Sequence, residues 1–248
     1  MSLPPHVRTG GVQDPPPSAA GLELSIEEKI KGEMTRLLYR SAGFGLLSNF
    51  ILGVVLVAGT FSYHPKSQHA LWLGTLCLVS LARLGINVAF NRARAPIEKL
   101  HRWRLIFLLG VLMAGLTWGS TSWLYFDATE LLALLLLVML IAGLNAGAAR
   151  SLAPVRLSYQ IYVATTITPL FLRFITQPDS IGWTLGLAIV TYALFLLKTA
   201  SLHETDLRQL WRLIFENEIL VTTLSKAKEQ AEAANQAKSE FLSTMSHE

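Results

Sequence analysis

The sequence predicts an all-α, polytopic membrane protein with a six-helix transmembrane bundle followed by a cytoplasmic coiled-coil stalk. Two observations lead to this fold class. Of the 248 residues, 52% are hydrophobic and only 15% are charged, whereas a soluble domain has about 25% charged residues. Six apolar segments are also long enough to cross roughly 30 Å of hydrocarbon, and none alternates as the strands of a β-barrel do. The composition therefore excludes a disordered chain and disfavours a soluble domain.

The N-terminal region divides into two parts. Residues 1–21 contain five of the ten prolines and few apolar side chains, so they are predicted to be a disordered tail and not a signal peptide. Residues 22–42 are predicted to form an amphipathic cytoplasmic helix that begins near Ser25, because Ser25 and Glu28 have capping-box spacing. We interpret this helix as lying on a membrane surface, with a plain soluble helix as an equally good alternative.

The membrane domain is predicted to cover residues 43–200. Its fourth apolar segment is the most uniform, whereas the fifth is the weakest because it carries Pro169, Arg173 and several hydroxyl side chains. The six predicted spans are 43–61, 70–90, 105–126, 131–149, 157–175 and 181–200.

Basic residues in alternate loops predict the orientation. The segments before the first span, between the second and third, and between the fourth and fifth hold most of the Lys and Arg of this domain. The positive-inside rule places these segments and both termini in the cytoplasm, which requires an even number of spans. The pI near 9.3 is then explained by topology, and no nucleic acid is expected as a partner. The opposite loops are too short to fold into a ligand-binding domain.

Three polar residues lie within the predicted spans at similar depth. Arg83 and Asn87 are one turn apart on the second span, and Asn145 lies on the fourth. An arginine in hydrocarbon costs several kcal/mol unless it pairs or reaches the interface. The hypothesis is that Arg83, Asn87 and Asn145 form an intramembrane polar cluster that holds a signalling state. The alternative is snorkelling of the arginine together with ordinary hydrogen bonds between helices.

Glycine spacing predicts close helix packing. Two glycines four residues apart form a groove that admits the backbone of a neighbouring helix. Such pairs occur at residues 115/119, 143/147 and 182/186.

Cysteine and histidine placement gives no metal site. The single Cys rules out a disulfide framework. His64 and His69 share one loop, while His101 and His203 flank spans on the cytoplasmic side, so no pair of histidines is expected to meet inside the membrane.

Residues 201–237 are predicted to form a signalling helix that continues from the sixth span, because the segment contains no Pro or Gly. Apolar residues follow seven-residue patterns in two registers displaced by one residue, as in a two-stranded coiled coil. A helical dimer with two competing registers could transmit rotation or translation. A static dimerisation stalk is the alternative.

The last eleven residues, 238–248, read KSEFLSTMSHE. The motif F-L-S-T-M-S-H-E resembles the H-box that begins the dimerisation and phosphoacceptor domain of bacterial sensor histidine kinases. With the alanine-rich run before it, the resemblance covers about the last 20 residues. His247 points about 200° away from Met245 on a helix, towards solvent, and a neutral imidazole is a nucleophile near pH 7.

This resemblance implies a set of roles. His247 would be the phosphoacceptor, and Glu248 the general base or orienting group. The parent protein would be a homodimer in the bacterial inner membrane that takes phosphate from ATP and Mg²⁺ on a separate catalytic domain. It would then pass the phosphate to the aspartate of a response regulator or receiver domain. No cofactor is expected in this chain itself.

The 248 residues contain no recognisable ATP-binding loop, so we expect them to be inactive alone and to be part of a longer or truncated kinase. Two other functions stay open at this point. One is a non-enzymatic membrane scaffold or receptor that dimerises with a separate kinase, and the other is a small transporter, although no internal repeat supports it.

Overall fold

The computed structural model describes residues 19–93, 96, 99–177 and 180–246. Within these residues the regular structure consists of six α-helices and no strand, which confirms the predicted all-α class. The helices are α1 (Ala19–Thr60), α2 (Lys66–Ala93), α3 (Leu100–Leu124), α4 (Leu131–Ser151), α5 (Arg156–Ile175) and α6 (Ser180–Ser246).

Five of the six helices are long and apolar enough to cross a membrane, namely α1, α2, α3, α4 and α6. Helix α5 is the exception, with Pro169 inside it. Its polar side chains Ser158 and Thr166 are fully buried, because α5 packs against α3, α4 and α6. A helix that buries its polar groups against other helices can cross a membrane with a lower mean hydropathy. The number of six spans therefore stays a prediction.

Helix α1 is continuous through both the predicted amphipathic segment and the predicted first span. It begins at Ala19, six residues before the predicted start, so 19–21 of the predicted tail are helical. The hydroxyl of Ser25 donates to the carbonyl of Leu22 at 2.7 Å, inside the helix, and does not cap it. The prediction was wrong because the Ala, Leu and Glu residues before Ser25 are themselves good helix formers.

Consecutive helices run in opposite directions, which gives the molecule two ends. We call the end with His64 and His69 the histidine end, and the end with Arg92 and Arg150 the arginine end. At the histidine end, the side-chain amide of Gln68 in the first turn of α2 donates to the carbonyl of Leu124 at the end of α3. At the arginine end, the hydroxyl of Ser41 on α1 donates to the carbonyl of Ser151 at the end of α4, at 3.0 Å. Helix α6 continues beyond the arginine end.

The closest helix contact joins α3 to α5. A Cβ placed on Gly115 would overlap the hydroxyl of Thr165, and one placed on Gly119 would overlap the backbone carbonyl oxygen of Thr165. Trp118, between these glycines, is fully buried. The 115/119 spacing thus brings two backbones together, as the glycine pattern predicts.

Helix α6 is a single helix of 67 residues, as the absence of Pro and Gly after residue 200 predicts. At 1.5 Å per residue it is about 100 Å long. Beyond Ile219 every described side chain is exposed in the single chain.

Candidate functional site

The C-terminal motif lies at the free end of α6. Phe241, Leu242 and Met245 are all exposed, at 63%, 57% and 64% of their surface. They share one side of the helix, as their spacing predicts. The predicted phosphoacceptor His247 and its neighbour Glu248 lie outside the described residues, so their roles stay predictions.

The middle of α6 also has an exposed apolar face. Each apolar side chain on this face exposes at least 44% of its surface in the single chain. An exposed apolar stripe of this length is typical of a surface that another helix covers. The stripe consists of Leu210, Leu213, Ile214, Leu220, Val221 and Leu224.

The start of α1 packs against the opposite face of α6. Ile26, Ile30 and Met34 are buried, at 4%, 1% and 1% exposure. They form a separate apolar cluster with α6, which we call the brace cluster; its partly buried members are Leu22, Leu207, Trp211, Phe215 and Ile219. The apolar face of this part of α1 thus packs on α6, and the interpretation of 22–42 as a membrane-surface helix stays a prediction.

Charge pairs flank the brace cluster. The Arg212 guanidinium lies 2.9 Å from a carboxylate oxygen of Glu23 and 3.0 Å from one of Glu27. Arg208 lies 3.6 Å from Glu27 and 3.2 Å from Glu204. Single exposed ion pairs contribute about 0–1 kcal/mol. Here several pairs form a network between the two helices, which favours one register of α1 against α6.

Arg83 projects from α2 towards α3 and lines a cavity between α1 and α4. It is half-buried. The absence of a side chain on Gly110 makes room for it, since a Cβ there would lie 3.2 Å from Cγ of Arg83. No ion pair or hydrogen bond of Arg83 to any other described residue occurs.

Asn87 contacts α1 and not α4. Its Nδ2 donates to the backbone carbonyl of Tyr39 at 2.7 Å, and its Oδ1 accepts from Nδ2 of Asn91 at 2.8 Å. The ring of Tyr39 stacks on Phe90 with centroids 3.8 Å apart. Asn87 therefore joins α2 to α1.

Asn145 joins α4 to α5. It is fully buried, its Oδ1 accepts from the hydroxyl of Thr166 at 3.0 Å, and its carbonyl accepts from the hydroxyl of Tyr159 at 3.1 Å. Among the described residues no hydrogen bond links Asn145 to Arg83 or Asn87. The three predicted cluster residues thus occupy three different helix contacts, and their shared role in signalling stays a prediction.

The histidine end holds a cluster that the sequence analysis did not identify. Nδ1 of His69 and the hydroxyl of Tyr125 are 3.1 Å apart, and the two rings stack. The ring of His64 lies edge-on to both, with centroid distances of 6.2 Å and 5.2 Å. The Nε2 atoms of both histidines are buried without a hydrogen-bond partner among the described residues. The five-residue spacing of His64 and His69 signals a pair, but Tyr125 comes from a distant part of the sequence.

The electrostatics of this cluster favour a neutral His64. Burial lowers the pKa of the His64 imidazole below its usual value, His69 lowers it further, and the carboxylate of Asp127 opposes the shift. Across the described residues, no group of three His, Cys, Asp or Glu side chains is arranged to hold a metal ion. The contact of His69 with Tyr125 joins the start of α2 to the end of α3.

No protein-family model matches this chain, and neither a curated protein nor a solved structure shows significant similarity to it.

Proposed function

We propose that the chain is the sensory and phosphoacceptor-start portion of a two-component sensor histidine kinase. In this proposal six spans cross the bacterial inner membrane, and both termini lie in the cytoplasm. A stimulus acts within the membrane or at its edge, and α6 carries the response to His247.

The observation that carries this proposal is the continuity of α6. One helix runs without interruption from the apolar helices to the F-L-S-T-M-S-H-E segment. A helix without a break moves as a rod, so a rotation or shift at residues 181–200 reaches the motif. The motif itself supplies the chemical identity, and the helix supplies the connection.

The exposed apolar stripe of α6 supports dimerisation through the stalk. Its side chains lie opposite the brace cluster, so the N-terminal part of α1 leaves the stripe accessible. Two parallel copies of α6 would bury the stripe in a coiled coil. Pairing would also place the two H-box segments side by side, as a phosphoacceptor domain requires.

The brace cluster supports a mechanical role for α1. Its apolar contacts and the Arg212 ion pairs hold α1 against α6 just beyond the arginine end. A change in how α1 sits among the other helices would thus be applied directly to the base of the stalk.

The chemistry proposed for His247 is phosphoryl transfer. A ring nitrogen of neutral His247 forms a bond to the γ-phosphorus of ATP, and the bond from that phosphorus to the β,γ-bridging oxygen breaks, releasing ADP. Glu248 accepts or orients the imidazole proton. A carboxylate oxygen of a response-regulator aspartate then attacks the phosphorus and the N–P bond breaks. ATP and Mg²⁺ belong to a catalytic domain outside these residues.

The test is phosphorylation of the protein encoded by the whole reading frame, in isolated membranes supplied with γ-labelled ATP and Mg²⁺. We expect acid-labile label on the wild type and none on His247→Gln. The matched control is His203→Gln, which removes a half-buried histidine from the same helix and should keep the label. Label that persists in His247→Gln, or a wild type that takes up none, would overturn the proposal.

A further inference from the structure

A lateral cavity of about 240 Å³ lies between α1 and α4, with Arg83 among the residues that line its inner wall. Phe107 of α3 and Tyr162 of α5 complete that wall. The cavity is therefore bounded by five helices, and four of them are among those apolar enough to cross a membrane.

The cavity is closed at both ends and open along its side. At the arginine end, the hydrogen bond from Ser41 to Ser151 joins α1 and α4. Towards the histidine end, a Cβ on Gly59 would overlap the side chain of Leu136, so the two helices meet there. Between these points both helices present glycines with nothing within 4 Å of an added Cβ: Gly45, Gly143 and Gly147.

Within the described part of the chain, no carboxylate pairs with the charge of Arg83. The six predicted spans contain no Asp or Glu at all, and no ion pair to Arg83 is formed by the residues described. An unpaired cation at this depth is costly. Its planar guanidinium offers five N–H donors in a geometry that matches a carboxylate or phosphate.

Of the other polar side chains in the lining, Asn49 has a buried oxygen, Oδ1, without a hydrogen-bond partner among the described residues. The hydroxyls of Ser41, Ser48 and Ser151 donate to carbonyls of α1 or α4. Tyr162, beside Arg83, makes no hydrogen bond through its hydroxyl to another described residue. The lining thus offers a positive charge and unused donors at Arg83 and Tyr162, with the amide oxygen of Asn49 as an unpaired acceptor on α1.

We propose that this cavity binds the anionic head group of an amphiphile. The carboxylate or phosphate oxygens accept from the Arg83 guanidinium and the Tyr162 hydroxyl. The apolar tail leaves through the side opening, past Gly143 and Gly147, into the lipid. The site stands on this geometry alone and does not depend on the proposed kinase function.

The test is direct binding to the chain in nanodiscs of zwitterionic phosphatidylcholine, with a photoreactive dodecanoate as the probe. We expect saturable crosslinking that maps to peptides of α1 and α4. Arg83→Gln should weaken binding at least tenfold, because it removes the charge and the paired donors. The control is Arg150→Gln. Arg150 is an exposed arginine in the last turn of α4 and does not line the cavity, so this change should alter binding less than twofold.

A second variant keeps the arginine and blocks the opening. A Cβ added at Gly147 has nothing within 4 Å, so Gly147→Leu should fold with wild-type helix content and still lose crosslinking. Equal crosslinking of wild type, Arg83→Gln and Gly147→Leu would overturn the proposal.

Competition separates the sources of the head group. Unlabelled dodecanoate displacing the probe best would support a free fatty acid, and phosphatidic acid displacing it best would support a phospholipid. Inorganic phosphate or acetate displacing it as well as dodecanoate would overturn the amphiphile. Equal displacement by dodecanol would overturn the role of the anion.

Discussion

Two glycine pairs with the same spacing have opposite surroundings in this protein. On α3, Gly115 and Gly119 lie against the backbone and side chain of Thr165, so the surface of α5 fills the groove. On α4, Gly143 and Gly147 have nothing within 4 Å of an added Cβ. The first pair forms a closed seam and the second forms the side of an open cavity. The glycine spacing therefore predicts only a shallow groove on the helix surface. Whether a neighbouring helix fills that groove depends on the packing of the fold.

The largest expected effect comes from adding a side chain to each groove. Gly119→Leu would push four carbons against the backbone carbonyl of Thr165, where overpacking typically costs about 1–3 kcal/mol and sometimes more. A Cβ added at Gly147 has nothing within 4 Å, so Gly147→Leu should be tolerated there. Thermal unfolding in detergent, followed by helical circular dichroism, should show a drop of several degrees for Gly119→Leu and almost none for Gly147→Leu.

Equal drops for the two leucine variants would mean that the α4 groove is filled in the membrane. A second copy of the chain or a tightly held lipid would then occupy it. Size-exclusion chromatography of Gly147→Leu would tell these apart, because only the loss of a second copy reduces the particle mass.

The same contrast between covered and uncovered surface recurs along α6. Near the base of the stalk, Ile30 of α1 packs on α6 and is 1% exposed. Further along α6, Leu224 is 68% exposed. Ile30→Ala should lower stability by about 2 kcal/mol, the lower end of the usual range, since the cluster is small. Leu224→Ala should leave a single chain unaffected. Limited proteolysis at the start of α1 gives the measurement, with faster cleavage expected only for Ile30→Ala.

If Leu224→Ala accelerates cleavage as much as Ile30→Ala, then the stalk and the brace cluster are not independent. Dimerisation through the stripe would then stabilise the contact between α1 and α6.

The polar groups of the two regions give a smaller effect. Asn145 is fully buried and accepts from Thr166 across the α4–α5 contact, while Asn49 lines the open cavity and donates within α1 to Gly45. A hydrogen bond between helices in a membrane contributes about 0.6 kcal/mol and at most about 1.7. Asn145→Leu should therefore lower the unfolding midpoint by a few degrees, and Asn49→Leu by less.

A double-mutant cycle of Asn145→Leu with Thr166→Val isolates this bond. The two substitutions should together cost less than the sum of the single effects. Strict additivity would show that the 3.0 Å contact contributes nothing.

The sequence predicted the helices better than it predicted their neighbours. The length of α6 followed from the absence of Pro and Gly after residue 200, because a local property decides where a helix ends. The absence of hydrogen bonds among Arg83, Asn87 and Asn145 in the described residues has a different origin. Depth in a membrane can be counted along a sequence, but the direction in which Asn87 and Asn145 face depends on helix rotation, which no local pattern sets.

The partner of the N-terminal helix was also beyond local reasoning. Its apolar face was visible in the spacing of Ile26, Ile30 and Met34, but lipid and α6 satisfy such a face equally well. A signal was present in the charges, since Glu23 and Glu27 are complementary to arginines some 185 residues later. Only the fold shows that these charges meet.

The smallest expected effect is the pH dependence of stability that comes from His64 at the histidine end, where the side chains are packed against one another as in the α3–α5 seam. Because burial and His69 hold the pKa of His64 below its usual value, the unfolded chain binds a proton at higher pH than the folded chain does. The free energy of unfolding should therefore be constant above about pH 7.5 and fall as the pH drops through the unfolded value near 6.5. The loss should end once the pH is below the folded pKa.

Two variants should move this pH dependence in opposite directions. His64→Gln removes the titrating group, so the difference in unfolding midpoint between pH 7.5 and pH 5.5 should shrink. Asp127→Asn removes the charge that favours protonated His64, while hydrogen bonds from Thr129 keep the pKa of Asp127 itself low and outside this window. The difference should then grow. If both variants behave as the wild type, protonation of His64 is not linked to folding, and the contact of His69 with Tyr125 holds the histidine end together without it.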